Sequence, residues 1–162
     1  MDDSLPFDPD ARLAALGFTL PAAPRPAAIY RYVSVVGSLA FVAGHGPQLP
    51  SGGMMLGQLG RDLQTEDGAL AARLTALAML ATLRAEFGTL RRVRRLVKTL
   101  GLVNSSPGFI EHPLVINGFS RVMADVFGSD AGIGTRTSFG VAALPGGIAV
   151  EIECQFEVHP VP

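Results

Sequence analysis

The residues best suited to chemistry stand in the last third of the chain, where polar and apolar positions alternate. Arg136, Ser138, Gly140 and Ala142 alternate with Thr137, Phe139, Val141 and Ala143. Beyond Leu144-Pro145-Gly146-Gly147, the residues Glu151, Glu153, Gln155 and Glu157 alternate with Val150, Ile152, Cys154, Phe156 and Val158. A period of two puts successive side chains on opposite faces of a strand, so the spacing predicts a hairpin with one oily and one polar face. Pairing Ala143 with Ile148 across the turn sets Arg136 opposite Gln155, Ser138 opposite Glu153 and Gly140 opposite Glu151. On this reading the arginine and the glutamates share the face turned away from the packed helices. An arginine fork there grips a planar carboxylate, and a glutamate beside it positions or deprotonates a water. The same spacing also fits cross-strand charge pairing on a solvated face.

Other candidates carry less. His45, in Ala43-Gly44-His45-Gly46-Pro47, sits at a predicted strand end between glycines, where an imidazole either binds and shuttles a proton or serves the structure. His45, His112 and His159 have no metal-ligand spacing, so no metal is expected; no other cofactor is expected. The run Arg91-Arg92-Val93-Arg94-Arg95 is a possible contact for RNA or a solvated edge at a helix-to-strand junction. Gly128 to Gly134 lacks the Lys-Ser/Thr ending of a phosphate-binding loop. Cys154, the one cysteine, points to the oily face by parity and reads as core.

The elements that must position these groups follow from pattern and punctuation. With 162 residues, 48% of them hydrophobic and 17% charged, the chain suits one globular domain and not a disordered one. A formal charge of -1 offers no overall basic excess for nucleic acid. The Met1-Asp2-Asp3 start is acidic where a secretory signal is basic, and the apolar stretch from Ala69 to Leu83 is interrupted by Arg73 and short for a membrane span. A soluble protein in a reducing, cytoplasmic compartment is the expectation.

Asp8 or Asp10 caps a short helix through Leu16, and Pro21 to Pro26 extend the chain as an arm, so residues 1–25 read as an appendage to a domain over 26–162. Tyr32–Val36 and Leu39–Gly44, with Gly37-Ser38 between, predict a hairpin, and the run ending at Leu56 a weaker third strand. A long helix spans Thr65–Phe87, with Leu70, Leu74, Leu77, Ala81 and Arg84 stepping along one face and Met79, Leu80 and Leu83 widening the stripe. A strand covers Val93–Val103, and a second helix opens at Pro113 and ends at Gly128, with Leu114, Val115, Phe119, Val122, Met123 and Val126 on its apolar face. The order predicts an α+β fold, one sheet with both helices on its oily face. A low-charge chain with a second sheet face to cover favours an oligomer.

Several segments together resemble the RidA/YjgF family of reactive-intermediate (imine/enamine) deaminases. They are Pro26-Ala27-Ala28-Ile29-Tyr30-Arg31-Tyr32-Val33, Val42-Ala43-Gly44-His45-Gly46-Pro47, Asn117, Thr135-Arg136-Thr137-Ser138-Phe139-Gly140-Val141 with Leu144-Pro145, and Val150-Glu151-Ile152-Glu153. The resemblance implies a chorismate-mutase-like fold and a homotrimer with three clefts between subunits. It also implies that Arg136 holds a substrate carboxylate, that Glu151 orients the attacking water, and that the backbone at Ser138 helps bind the imine nitrogen and water. Tyr32, Gly44 and Asn117 would line the cleft, with His45 where typical members carry glutamine. Tyr30-Arg31 replaces the usual Gly-Pro pair and Ser138 a frequent cysteine, as in a divergent subgroup. Three functions remain open: hydrolysis of 2-imino or enamino acids to 2-oxo acids and ammonia, a non-catalytic trimer that binds small carboxylates, and an endoribonuclease or translation inhibitor.

Overall fold

The computed structural model describes residues 8–159, so the acidic Met1-Asp2-Asp3 start lies outside the described residues. Along the chain run α1 (Pro9–Ala15), β1 (Val33–Val36), β2 (Leu39–His45), α2 (Thr65–Phe87), β3 (Val93–Asn104), α3 (His112–Ala131), β4 (Thr135–Val141) and β5 (Val150–Val158). The five strands form one mixed sheet in the order β1-β2-β5-β3-β4, in which only β3 and β4 run parallel. The fold is α+β, and α2 and α3 pack together on one sheet face.

The helices sit close because small residues let them. Asp67 accepts from the Gln64 backbone N–H at 2.9 Å and fixes the start of α2, while Gly88, at φ 77°, ends it in the left-handed region where glycine costs least. The face of α2 buried against the core is Ala71, Ala72, Thr75, Ala76, Met79, Leu80 and Leu83. Met79, Leu80, Ala81 and Leu83 of the expected stripe are buried, whereas Leu74 and Leu77 border a groove with Thr19 to Ala22 of the N-terminal segment and Leu70 is exposed. Alanine scores as weakly apolar, so the closer-packed face is the quieter one in the sequence. By length and composition α2 could cross a membrane, yet most of it is buried inside this fold.

On α3, Ile116 is buried and Leu114 is exposed, the reverse of the expected face at that turn. Gly101 of β3 explains the placement, because a Cβ there would strike the Ile116 side chain. The missing side chain lets α3 lie low over β3 and β4. Helical geometry breaks at Gly128, as expected, and one further turn follows. The N-terminal segment is tied down: Thr89 Oγ1 and the Leu90 N–H both donate to Asp10, and Leu13 enters the core.

Two sequence expectations are corrected. The run ending at Leu56 is not a strand but makes isolated bridges, Gln48 to Met54 and Leu56 to Ile148. More consequentially, β4 and β5 do not form a hairpin, because β3 lies between them. Arg136 is level with Thr99, and Ser138 with Gly101, in a parallel pairing, while Glu151 is level with Leu102 and Glu153 with Leu100. The connection from β4 to β5 arches over the end of β3. It is pinned there by Asn104, whose N–H donates to Ala149 O (3.0 Å) and whose Nδ2 donates to Ile148 O (3.2 Å). Period-two alternation specifies strands and faces but not neighbours, and a Leu-Pro-Gly-Gly segment serves a crossing as well as a tight turn.

The register also separates the proposed pair by face. Arg136, Thr99 and Cys154 share the helix side, whereas Glu151, Leu102 and Phe139 share the open side. That open side is notably apolar for a surface: Phe41 is 41% and Phe139 45% exposed, beside half-buried Leu100 and Leu102.

Candidate functional site

The sequence-predicted residues fall into two groups. The first is built around Arg136 on β4, an edge strand. Its Nη1 donates to Asn117 Oδ1 (3.0 Å) and Ser120 Oγ (3.0 Å), and its Nη2 to Pro113 O (3.3 Å). These acceptors are α3 positions 113, 117 and 120, spaced to lie on one helix face. All three are neutral, and among the described residues no carboxylate pairs with Arg136. A guanidinium has five N–H groups, so Nε–H and one Nη2–H are left for an incoming group, and these two form a side-on fork that matches a carboxylate. Burial lowers the Arg136 pKa from its ordinary value, the mark of a cation short of solvent.

Ser138 lies two residues on along the same face. Val141 O accepts from Ser105 N on the β3 side, and strand alternation then turns the N–H and C=O of Arg136, Ser138 and Gly140 outward along the open edge. Between α3 and the strands runs a groove of about 440 Å³, bordered by Thr99, Asn117, Ser120 and Arg136. Sequence reasoning found Asn117 only through the family resemblance and missed Ser120. The i, i+3 spacing puts Asn117 and Ser120 on one helix face, but only the placement of α3 beside β4 brings that face to Arg136.

The second group surrounds Glu151 on β5, across the sheet. Gly44 faces it at the bulge of β2, and a Cβ at Gly44 would overlap the Glu151 carboxylate. Burial, then the nearby Glu153, raises the Glu151 pKa above the ordinary carboxylate value. Among the described residues no cation pairs with it either. Tyr32 is close enough for Glu151 to contribute to its raised pKa, although burial is the larger cause and Tyr30 the next. Gly44→Ala is therefore expected to push the carboxylate aside, reducing turnover at least tenfold while shifting the melting temperature little; comparing kcat with a thermal melt checks this.

His45 belongs to this group by position but is sealed from any groove. It is 1% exposed; its Nδ1–H donates to Ala43 O (2.7 Å), and Nε2 lies 2.8 Å from Thr82 Oγ1 on α2. Burial lowers its pKa to about 4, so the ring is neutral and Nε2 accepts from the Thr82 hydroxyl. The Tyr32 ring rests on it at 4.5 Å between centroids. The unfolded chain binds a proton at His45 from its ordinary pKa downward and the folded protein does not, so this contribution to stability is complete above the ordinary value and lost as pH falls toward 4. Between pH 7 and 4.5 it amounts to roughly 2 to 3 kcal/mol. Urea unfolding of the wild type and of His45→Gln at the two pH values is expected to show the smaller pH dependence in the variant.

The remaining candidates are absorbed by the fold. The basic run meets acidic partners: Arg91 lies 3.5 Å from Asp8, Arg94 2.8 Å from Glu157 and Arg95 3.5 Å from Asp130, while Arg92 donates to His159 O. Cys154 is buried, and burial pushes its thiol up to about 12. Among the described residues no three of His, Cys, Asp and Glu gather to hold a metal.

Residues 10–148 match the family described as "YjgF/chorismate_mutase-like, putative endoribonuclease". Protein TCP17 of Trypanosoma cruzi is 42% identical over 149 residues, covering 92% of this chain and 93% of that protein. Among solved structures, Atu1372 of Agrobacterium tumefaciens is 36% identical with a TM-score of 0.84, covering 93% of this chain and 92% of that one. A Shewanella oneidensis protein described as a "putative endoribonuclease" is 29% identical with a TM-score of 0.89, covering 94% of this chain and all of that one.

Proposed function

The chain belongs to the YjgF/chorismate-mutase-like family, and from that premise we propose that it hydrolyses 2-imino or enamino acids to 2-oxo acids and ammonia in clefts between the subunits of a homotrimer. The observation that carries the reading is Arg136, a part-buried guanidinium held by three neutral acceptors, with a side-on fork turned to whatever enters. Such a fork selects a planar carboxylate, and every 2-imino acid carries one next to its reacting carbon.

An imine carbon is already electrophilic, so the protein's part is orientation and proton handling. Arg136 fixes the carboxylate. The Glu151 carboxylate takes a proton as the oxygen of a water attacks the imine carbon, forming a carbinolamine. Proton delivery to the amine nitrogen then lets the C–N bond break, ammonia leaves, and the carbonyl of the 2-oxo acid forms. A glutamate with a raised pKa is the better base for this near neutral pH. The outward backbone at Ser138 is placed to hydrogen-bond the imine nitrogen or the water.

One subunit cannot assemble this arrangement. Arg136 and Glu151 point from opposite sheet faces, with β3 between their strands and three residues of offset along them, or roughly 14 Å between backbones. The proposal therefore has Arg136 and Asn117 of one subunit meet Glu151, Gly44 and Tyr32 of the next. Unlike patches meeting head to tail close into a ring, and the apolar open face with Phe41 and Phe139 becomes its interior. A cytoplasmic setting, where pyridoxal-phosphate enzymes release such imines, fits this chemistry.

The endoribonuclease description of relatives is the alternative. RNA binding needs unpaired cations facing a phosphate backbone, and the carboxylates beside Arg91, Arg94 and Arg95 leave that run a weak footprint. The deciding experiment generates 2-iminobutanoate in situ with an amino-acid oxidase and times its loss. Faster loss with the protein than without is the expected outcome; equal rates would overturn the reading.

A further inference from the structure

The groove beside Arg136 is bordered by a second arginine, exposed to solvent, that the proposed reaction does not use. Arg121 lines the same space of about 440 Å³, four residues beyond Asn117 and next to Ser120 on α3. Positions 117, 120, 121 and 124 form one helix stripe, so Arg121 stands one turn, about 6 Å, along the axis from the residue that holds Arg136. Among the described residues Arg121 makes no ion pair. Asp125, one turn further on, borders a neighbouring groove that Arg121 also touches.

The rest of the lining sharpens the chemistry. No acidic side chain borders the groove, and the polar groups there besides the two arginines are those of Thr99, Asn117 and Ser120. The segment from Gly132 to Gly134 closes one end of it, with Gly132 packed on the backbone of Met123 and Gly134 on that of Leu96 and Val97, and the exposed Ile133 side chain between them. Ala124 keeps the helix side low. The groove is thus cationic at two points with no carboxylate beside either, and Leu96, Ala124 and Ile133 flank the space between, which suits a short dianion with a hydrocarbon middle.

We propose that Arg121 binds a second carboxylate, making this a site for 2-imino dicarboxylic acids, the imines of acidic amino acids. The inference rests on the imine-hydrolysis reading for the reaction but not for the binding. Arg136 takes the carboxylate next to the imine, and Arg121 takes the one at the far end of a four- or five-carbon chain. Each contact is charge-assisted, so a substrate that lacks the second carboxylate leaves one guanidinium unanswered.

The test has a kinetic and an equilibrium arm. Imines of aspartate and glutamate, and of leucine and methionine, are generated by amino-acid oxidases and followed with wild type and Arg121→Gln. Binding of succinate and 2-oxobutanoate to both proteins is measured by calorimetry. Wild type is expected to favour the acidic imines, and Arg121→Gln to lower the acidic-to-neutral ratio of kcat/KM about tenfold, with a matching loss for succinate alone. Arg73→Gln, on the neighbouring groove, serves as the control that leaves the ratio unchanged. Equal use of both imine classes, or an unchanged ratio in Arg121→Gln, overturns the inference and leaves the hydrolase reading standing. Arg121-dependent succinate binding without hydrolysis of any imine supports the dianion site and overturns the hydrolase.

Discussion

Glu151→Gln is expected to lower kcat about 100-fold or more while leaving the affinity for a stable 2-oxo acid nearly unchanged. The amide keeps the shape of the carboxylate over Gly44 but cannot take the proton of the attacking water. Stability separates this from a structural role. Burial and Glu153 raise the Glu151 pKa, so the folded protein holds that proton more tightly than the unfolded chain. Ionisation at Glu151 therefore opposes folding as pH rises through the raised value, and the opposition is absent below the ordinary carboxylate range. At pH 7 the glutamine variant is thus expected to melt no lower than wild type, and below pH 4 any advantage disappears. A lower melting temperature with intact turnover would make Glu151 a surface glutamate and nothing more.

Arg136→Lys is expected to weaken binding of a 2-oxo acid by about 1.5 to 3 kcal/mol, a loss of roughly 10- to 150-fold in Kd. Lysine keeps the charge but lacks the planar fork. It cannot serve Asn117, Ser120 and Pro113 O while offering two parallel N–H groups to a ligand. The loss should appear in KM and in equilibrium binding more than in kcat, the inverse of the Glu151 result. Within one subunit β3 lies between the two residues, and across the proposed cleft the substrate lies between them, so their effects on melting temperature should add. Strong coupling in stability would favour direct charge pairing.

How much of this was legible in the sequence depends on the kind of signal. The α2 boundaries were written in the acidic first turn and in Gly88, and the β1–β2 hairpin in Gly37-Ser38, because caps and turns are local. Strand order was not local. Nothing in residues 135–158 says that β3 inserts between β4 and β5; that depends on Asn104 and the loop around Met55 gripping the connection. The same step hid the geometry of the site, since parity within a presumed hairpin put Arg136 and Glu151 on one face. Asn117 was reached through resemblance, whereas Ser120 and Arg121 needed the helix placed over the sheet, which Gly101 allows by yielding to Ile116. His45, singled out for its glycine neighbours, is fixed by Thr82, a partner 37 residues away.

The central claim is that a working cleft draws Arg136 from one subunit and Glu151 from another. Arg136→Lys and Glu151→Gln are unfolded together in equal amounts, refolded and assayed for imine hydrolysis at substrate far below KM, where each alone is nearly inactive. Random assembly of trimers gives about one cleft in four with both native residues, so recovery of about a quarter of wild-type activity is predicted. Activity no greater than the sum of the two variants, from mixed trimers verified by mass, would contradict a shared cleft.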